Sequence, residues 1–312
     1  MATYYSRRDF LKASTAGALA AAGLSQHACS HTAHDAAVHG GFDPRTAGIG
    51  LQLYTIRDAM AADVPGSLKR VAGIGYKYVE LADYANGKFY GYDPPEFRRM
   101  CNDLGLEILG SHTQVEGVGV TLENARKMAE DHTKLGVKFC LQPFLVEDMR
   151  TTIASYQRMA ANWNKIGAIM KEQGIQFGYH NHNFEFATVE GKIPYFDVLM
   201  AELDKDLVVM ELDMFWTFKA GYNPVDIIKK YPGRFPLFHL KDSYTKEAPF
   251  FDLTKTAVAP VGEGVIDFKA IFAARDIAGL QYVVVEQDDS RDKTIFEDIQ
   301  KSITNLKTKI LV

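Results

Sequence analysis

The chain is predicted to fold as an α/β protein, a single-domain (β/α)8 TIM barrel, and three observations carry that prediction. Eight short apolar runs alternate with stretches of helical period along the chain. Each run finishes at a polar or metal-competent residue: Gln52, Glu80, His112, Gln142, His180 (with His182 two residues on), Asp213, His239 and Glu286. The length is 312 residues, with 47% hydrophobic and 24% charged content, which suits one large core, since such barrels occupy about 250 residues. Chemistry in this architecture gathers at the C-terminal ends of the strands, where these polar residues fall.

The first segment is an address and not part of the fold. Ser6-Arg7-Arg8-Asp9-Phe10-Leu11-Lys12 precedes an Ala-rich apolar run from Ala13 to Leu24, too short for an ordinary membrane span. It resembles a twin-arginine signal, so residues 1–28 are expected to direct export of a folded protein to the periplasm. Cys29 follows directly and is either a lipidated anchor or an ordinary first mature residue; Gln26-His27 before it fits a lipobox poorly. Residues 29–47, with His31, His34 and His39 among Ala, Gly and Ser, read as a linker, and the barrel as 48–312. Exchanging Arg7 and Arg8 together for Lys is expected to strand folded protein in the cytoplasm; unchanged export, measured by fractionation, would contradict the signal.

From Gly48 the elements follow in order. Ile49 to Tyr54 reads as the first strand, and the helix opening at Val64-Pro65 stops near Gly73 and Gly75. Tyr78 to Leu81 is the second strand, Pro95 to Leu104 its helix, closed by Gly105. Glu107 to Gly110 and Leu122 to Leu135 form the third unit, Lys138 to Leu141 and Thr152 to Gln173 the fourth. Gln176 to His180 with Tyr195 to Leu203 gives the fifth, and Leu207 to Leu212 with Pro224 to Lys230 the sixth. Phe235 to Leu240 is the seventh strand; after a long connection containing Gly262-Glu263-Gly264, Phe268 to Ile277 supplies its helix. Tyr282 to Val285 and Phe296 to Leu306 complete the series. The long connection is expected to act as a lid or binding loop.

Charge and cysteine content narrow the function. The formal charge is −4, and the first 28 residues carry a net +2 (Arg7, Arg8 and Lys12 against Asp9), leaving −6 for the rest. An acidic chain is poorly suited to grip a phosphate backbone, so no nucleic-acid partner is expected. No second hydrophobic span follows the signal, so no integral membrane span is expected. The three cysteines, Cys29, Cys101 and Cys140, do not make a disulfide framework; Cys101 and Cys140 are expected to be buried thiols.

His180, Asp213, His239 and Glu286 end four successive strands and are expected to converge as metal ligands on one side of the barrel mouth. Two imidazoles with two carboxylates suit a divalent transition metal, Mn, Co, Fe or Zn, better than Ca or Mg. Glu80, His112, His182 and Glu286 are the candidate acid/base groups. Each has a plainer reading: a carboxylate bound to a helix amide or cation for Glu80, a structural imidazole for His112, support of a ligand for His182. Gln52, Gln142, Trp216 and Lys241 are the candidate substrate-binding residues, with Phe215 and Trp216 read equally as sugar platform or as packing.

The motifs YVEL (Tyr78 to Leu81), GSH (Gly110 to His112), YHNH (Tyr179 to His182), ELD (Glu211 to Asp213), FHLKD (Phe238 to Asp242), GEGVIDF (Gly262 to Phe268) and VVVEQD (Val283 to Asp288) resemble the xylose isomerase-like superfamily of sugar isomerases and epimerases. The resemblance spans nearly the whole chain after residue 48. It implies a divalent metal that grips neighbouring sugar oxygens and stabilises an enediolate while side chains move protons. By position, Asp213, His239 and Glu286 match the family's metal ligands. His180 departs from it, standing where many members carry a glutamate that is both ligand and base, which argues against a symmetrical two-glutamate epimerisation.

The expected function is therefore a metal-dependent sugar isomerase or epimerase acting on a neutral carbohydrate-derived small molecule, with oligomeric state unspecified. No Gly-rich phosphate loop occurs, in keeping with a neutral substrate. The alternative is a metal-dependent lyase or dehydratase of a keto-sugar or 3-keto-glycoside, which shares the enolate. A repair nuclease of related fold and a noncatalytic sugar-binding protein are the remaining classes. Movement of a substrate proton separates enzyme from binding module.

Overall fold

The structure, a computed structural model, describes residues 41–114, 119–189, 193–247, 257–290 and 294–312. The segment expected to be an export signal, Cys29, and His31, His34 and His39 lie outside the described residues. Eight parallel strands close into a barrel in consecutive order: β1 (Ile49–Gln52), β2 (Tyr78–Leu81), β3 (Glu107–His112), β4 (Phe139–Gln142), β5 (Gln176–His180), β6 (Val208–Asp213), β7 (Leu237–Leu240) and β8 (Tyr282–Val285). Pairing of Ile49 with Val283 and of Gly50 with Tyr78 places β1 between β8 and β2 and closes the ring.

The helices around it are α1 (Arg57–Ala62), α2 (Val64–Ile74), α3 (Pro94–Asp103), α4 (Ala125–Leu135), α5 (Ile153–Glu172), α6 (Tyr195–Glu202), α7 (Met214–Lys219), α8 (Pro224–Lys230), α9 (Phe268–Ala273), α10 (Arg275–Ala278) and α11 (Ile295–Asn305). Local chemistry accounts for several ends. Thr152 and Ser155 form a reciprocal capping box at the start of α5, and Gly75 takes the left-handed conformation that stops α2. No helix among the described residues is long and apolar enough to cross a membrane.

The period of two along each strand decides what the site is made of. Leu109, Phe139, Leu141, Leu237 and Val284 form a small apolar layer of their own, while their strand neighbours Cys140, Phe238, Val283 and Val285 join the larger core. Two residues beyond Leu237 and Val284, on the same faces, stand His239 and Glu286. Gly178 is required in this layer, because a Cβ there would lie 2.5 Å from Leu141 Cδ2 and 2.9 Å from Val209 Cγ2. On β3 the register slips between Val79 and Glu80, which pair with Ile108 and Gly110. That bulge shifts the phase of β3 and re-aims His112.

The structure differs from the sequence expectations in five places. The first strand ends at Gln52, and Leu53–Ile56 forms a 3-10 turn leading into the unforeseen α1. The sixth strand runs straight into α7, which Asp213 caps by accepting from the Trp216 N–H at 2.7 Å. The helix expected over Phe268–Ile277 is two, α9 and α10, parted at Ala274. The linker expected to reach residue 47 gives way earlier: Phe42 is buried, stacks on Phe272 at 5.8 Å and donates its N–H to Leu280 O at 3.1 Å. The connection after β7 is pinned at both ends, with 248–256 outside the described residues. Asp242–Ser243 pairs with Val258–Ala259, and the Asp242 carboxylate accepts from the N–H groups of Ser243, Gly262, Gly264 and Ile266 at 2.7–3.1 Å. Cys101 and Cys140 are free and buried, and burial pushes both thiols up to about 12.

Candidate active site

Six of the strand-end residues, Glu80, His112, His180, Asp213, His239 and Glu286, meet in one buried cluster, joined by Glu211 from the start of the ELD motif and by Lys241. His180 Nδ1 lies 3.0 Å from Glu211 Oε2, and His180 Nε2 lies 3.8 Å from Asp213 Oδ2. His239 Nδ1 lies 2.9 Å from Glu286 Oε2, while its Nε2 lies 2.7 Å from Glu80 Oε2 and 3.2 Å from Glu211 Oε2. His112 Nε2 contacts Glu211 Oε2 at 2.7 Å and Glu80 Oε2 at 3.1 Å. Lys241 Nζ reaches Glu286 at 2.8 Å, Asp288 at 3.1 Å and Asp213 at 3.4 Å.

Such crowding moves the titrations strongly. Burial lowers His112 and His239, but the carboxylates beside them outweigh it, raising His112 to about 9 and His239 well above the usual imidazole range. Glu211 is pushed up by burial and pulled down further by His239 and His112, to about 2. Burial lifts Asp213 to about 6 against the pull of Lys241 and His239. His180 and His182 are driven well down, chiefly by burial.

Two overlapping quartets have donor atoms all within 4.8 Å of one another: His112, His180, Glu211 and His239, and His180, Asp213, His239 and Glu286. Both mix imidazole nitrogen with carboxylate oxygen, the donor set of a divalent transition metal. Among the described residues, two buried carboxylate oxygens of these quartets' side chains, Glu211 Oε1 and Asp213 Oδ2, accept no hydrogen bond, as expected where a cation completes the site. The residues present therefore fit a divalent metal.

A cavity of about 380 Å³ opens above this cluster, lined by His112, His180, His182, Trp216, Lys241 and Glu286, with Tyr54, Phe144 and Asp288 also on its wall. His182 is held flat, stacked on Phe184 and on Trp216 at 5.4 Å each. Its backbone N–H donates to the buried Glu185 at 2.9 Å, and Glu185 also takes the Tyr179 hydroxyl proton as a hydrogen bond. Trp216 thus packs against an imidazole and borders the cavity at once.

Glu80, Gln52 and Gln142 lie off the cavity, Glu80 within the cluster beneath it. Glu80 is fully buried under the imidazoles and accepts from Gln52 Nε2 at 2.8 Å, while Gln52 Oε1 accepts from the Tyr54 N–H. Gln142 accepts from the Val120 N–H at 3.1 Å and donates to Phe144 O at 2.8 Å. None of the three is on the cavity wall among the described residues. Sequence reasoning did not single out Glu211, Glu185 or Asp288 as site residues. Glu211 was findable, because it sits two residues before Asp213 and so shares its face.

Comparison with known proteins agrees with this geometry. The profile of the family described as xylose isomerase-like TIM barrel matches residues 68–308. Inosose dehydratase of Geobacillus kaustophilus is 25% identical over 252 residues, 71% of this chain and 79% of that protein. Matches to clostridial relatives of the same name span about half of those proteins' length. A solved sugar phosphate isomerase/epimerase from Parabacteroides distasonis is 28% identical, with a TM-score of 0.71 over 86% of this chain and 96% of that one. The zinc-bound IolI protein shares the fold at 18% identity and a TM-score of 0.68, over 85% of this chain and 99% of that one.

Proposed function

The chain belongs to the xylose isomerase-like TIM barrel family, and on that premise we propose that it is a divalent-metal-dependent enzyme that removes a proton beside the carbonyl of a neutral, carbohydrate-derived ketone and then expels a neighbouring oxygen substituent, as a lyase or dehydratase does. One observation carries this reading: a metal-competent quartet, with His180 and Glu286 on the cavity wall, adjoins two further imidazoles, His112 and His182, and the Lys241 ammonium on the same wall, beside the carboxylates of Asp288 and Asp289. The holders of the metal are His180, Asp213, His239 and Glu286, of which His180 and Glu286 border the cavity. Zn, Mn, Co or Fe suits this donor set, and the zinc in the IolI structure is in keeping with it. When bound, the cation supplies Lewis-acid polarisation of a carbonyl oxygen.

The chain's own residues divide the proton work. His182, kept neutral by burial and clamped between Phe184 and Trp216, is the base. His112, held in its charged form by Glu80 and Glu211, is the acid for the departing oxygen. Imidazoles pushed to opposite sides of neutrality can serve as the base and the acid of one turnover. Lys241, fixed by Glu286, Asp213 and Asp288, places a positive charge near developing oxyanion charge. The match to an inosose dehydratase over 79% of that protein's length supports the lyase reading. Isomerisation or epimerisation is the second reading, supported by the Parabacteroides protein's description. We further propose export by the twin-arginine signal, which favours an unphosphorylated substrate.

Product analysis tests the choice. Metal-loaded protein incubated with neutral ketoses, inososes and 3-keto-glycosides is expected to yield a product that has lost water or an alcohol, read by mass spectrometry. A product of unchanged mass with a moved carbonyl or inverted centre would replace this reading with isomerisation or epimerisation. No turnover of any member of the panel would count against both.

A further inference from the structure

We infer that Arg150 is a positioning residue for the His182 imidazole, acting through the Phe184 and Phe144 rings against which both side chains pack. This rests on the reading of His182 as the base and says what fixes the orientation of its ring.

The segment after β4 carries Phe144 and, past a 3-10 turn at Glu147–Met149, Arg150, while the segment after β5 carries His182 and Phe184. Two neighbouring strands therefore each send a phenyl ring to the same imidazole. His182 stacks on Phe184 with ring centroids 5.4 Å apart and planes 6° from parallel, and it meets Phe144 edge-on at 5.1 Å. Phe144 and Phe184 meet edge-on at 5.4 Å, so the three rings constrain one another. Arg150 is the cation shared by both phenyl rings: its Cζ lies 3.9 Å from the centroid of Phe184 and 5.5 Å from that of Phe144. Both distances are within the reach of about 6 Å over which a ring face attracts a guanidinium.

The backbone of His182 is pinned separately, its N–H donating to Glu185 at 2.9 Å and its carbonyl accepting from Asn181 Nδ2 at 3.2 Å. These bonds leave the ring free to turn about its outer torsion, which has only a broad intrinsic preference in histidine, so packing on the ring must set the angle. Trp216 packs on the imidazole at 5.4 Å and has Lys241 Nζ 5.5 Å from its own ring, with Lys241 anchored by three carboxylates. Arg150 is the corresponding cation behind Phe184. Its Nε is buried without a hydrogen-bond partner among the described residues, an arrangement that costs stability. The guanidinium thus supplies ring contact at the expense of a satisfied nitrogen, which suits a positioning role better than a purely structural one. Arg150 is not on the cavity wall among the described residues, whereas Phe144 and His182 are, so any effect it has on the reaction passes through those rings.

A double-mutant cycle tests the assignment. The metal-loaded full chain, Arg150→Met, His182→Phe and the double variant are compared on the substrate identified by product analysis. Arg150→Met is expected to lower kcat by about 10–100-fold, the scale for a misplaced catalytic group, with KM, metal content and melting temperature near those of the parent. Arg150→Lys, which keeps a cation near the rings, is expected to lose less. Added to His182→Phe, Arg150→Met is expected to cost no more than about twofold, because the group it positions is already gone. A kcat for Arg150→Met within about twofold of the parent, or the same loss repeated in full on top of His182→Phe, would overturn the inference. Spectra of protein carrying ring-carbon-13 histidine supply a readout independent of turnover: the His182 signals are expected to shift or broaden in Arg150→Met, and unchanged signals would also overturn it. Near-parental activity of His182→Phe would sink the reading of His182 as the base, whereas an impaired His182→Phe beside an indifferent Arg150→Met sinks only the positioning role.

Discussion

Asp213→Ala and His239→Ala are each expected to purify as folded barrels with metal content near background. Both residues sit at strand ends, where substitutions in this architecture cost function more than stability. The stability cost is nonetheless not zero for either. Asp213 caps α7, and removing such a cap typically costs about 1 kcal/mol. His239 stands between Glu286 and Glu80, so its removal leaves two buried carboxylates without their shared partner. Asp213→Asn is the useful companion, because an amide preserves the shape and can preserve the cap while giving up the charge. Elemental analysis of the purified proteins reads the outcome, with circular dichroism as the folding control. Full metal content in both alanine variants would remove the proposed site.

The second large effect is expected at His182. His182→Phe keeps a flat ring between Phe184 and Trp216, so packing, melting temperature and metal content should stay near those of the parent. Turnover should fall by about 10²–10⁴-fold, the usual contribution of a positioned acid or base. The loss should appear in kcat more than in KM, because the missing interaction belongs to proton transfer and not to ground-state binding. Activity within a few-fold of the parent would return His182 to a packing role and leave His112 as the remaining imidazole on the cavity wall outside the metal quartet. His112→Asn is expected to retain metal as well, since His112 lies outside the quartet assigned to the cation.

Most of the fold was legible because one physical signal repeats. Every barrel strand is a short apolar run, and the polar residue ending it lies near the mouth, so the number and order of units could be read without contacts. The same signal brought His180, Asp213, His239 and Glu286 together on paper, and the structure brings their donor atoms within 4.8 Å of one another. What could not be read was the facing of individual side chains. Gln142 looks equivalent to Glu286 as a strand end, yet it is one residue past the inward-facing Leu141 and so points away from the barrel interior. Glu211 was hidden by the opposite habit, that of attending to the last residue of a run when the one two before it shares the face. The bulge at Glu80 and the start of α7 at Met214 depend on tertiary packing and capping, which periodicity alone does not encode.

Solvent-deuterium exchange reads out the metal-dependent enolisation proposed for this cavity whatever becomes of the leaving group. The protein would be stripped with chelator, divided, reloaded with Zn, Mn, Co or Fe in separate portions, and incubated in deuterated water with a neutral keto-sugar or inosose identified from the product panel. Deuterium is expected at the carbon next to the carbonyl, in recovered substrate or in product, in at least one reloaded portion and not in the stripped one. Turnover at the same rate in the stripped protein, or turnover without any deuterium at that carbon, would contradict the claim.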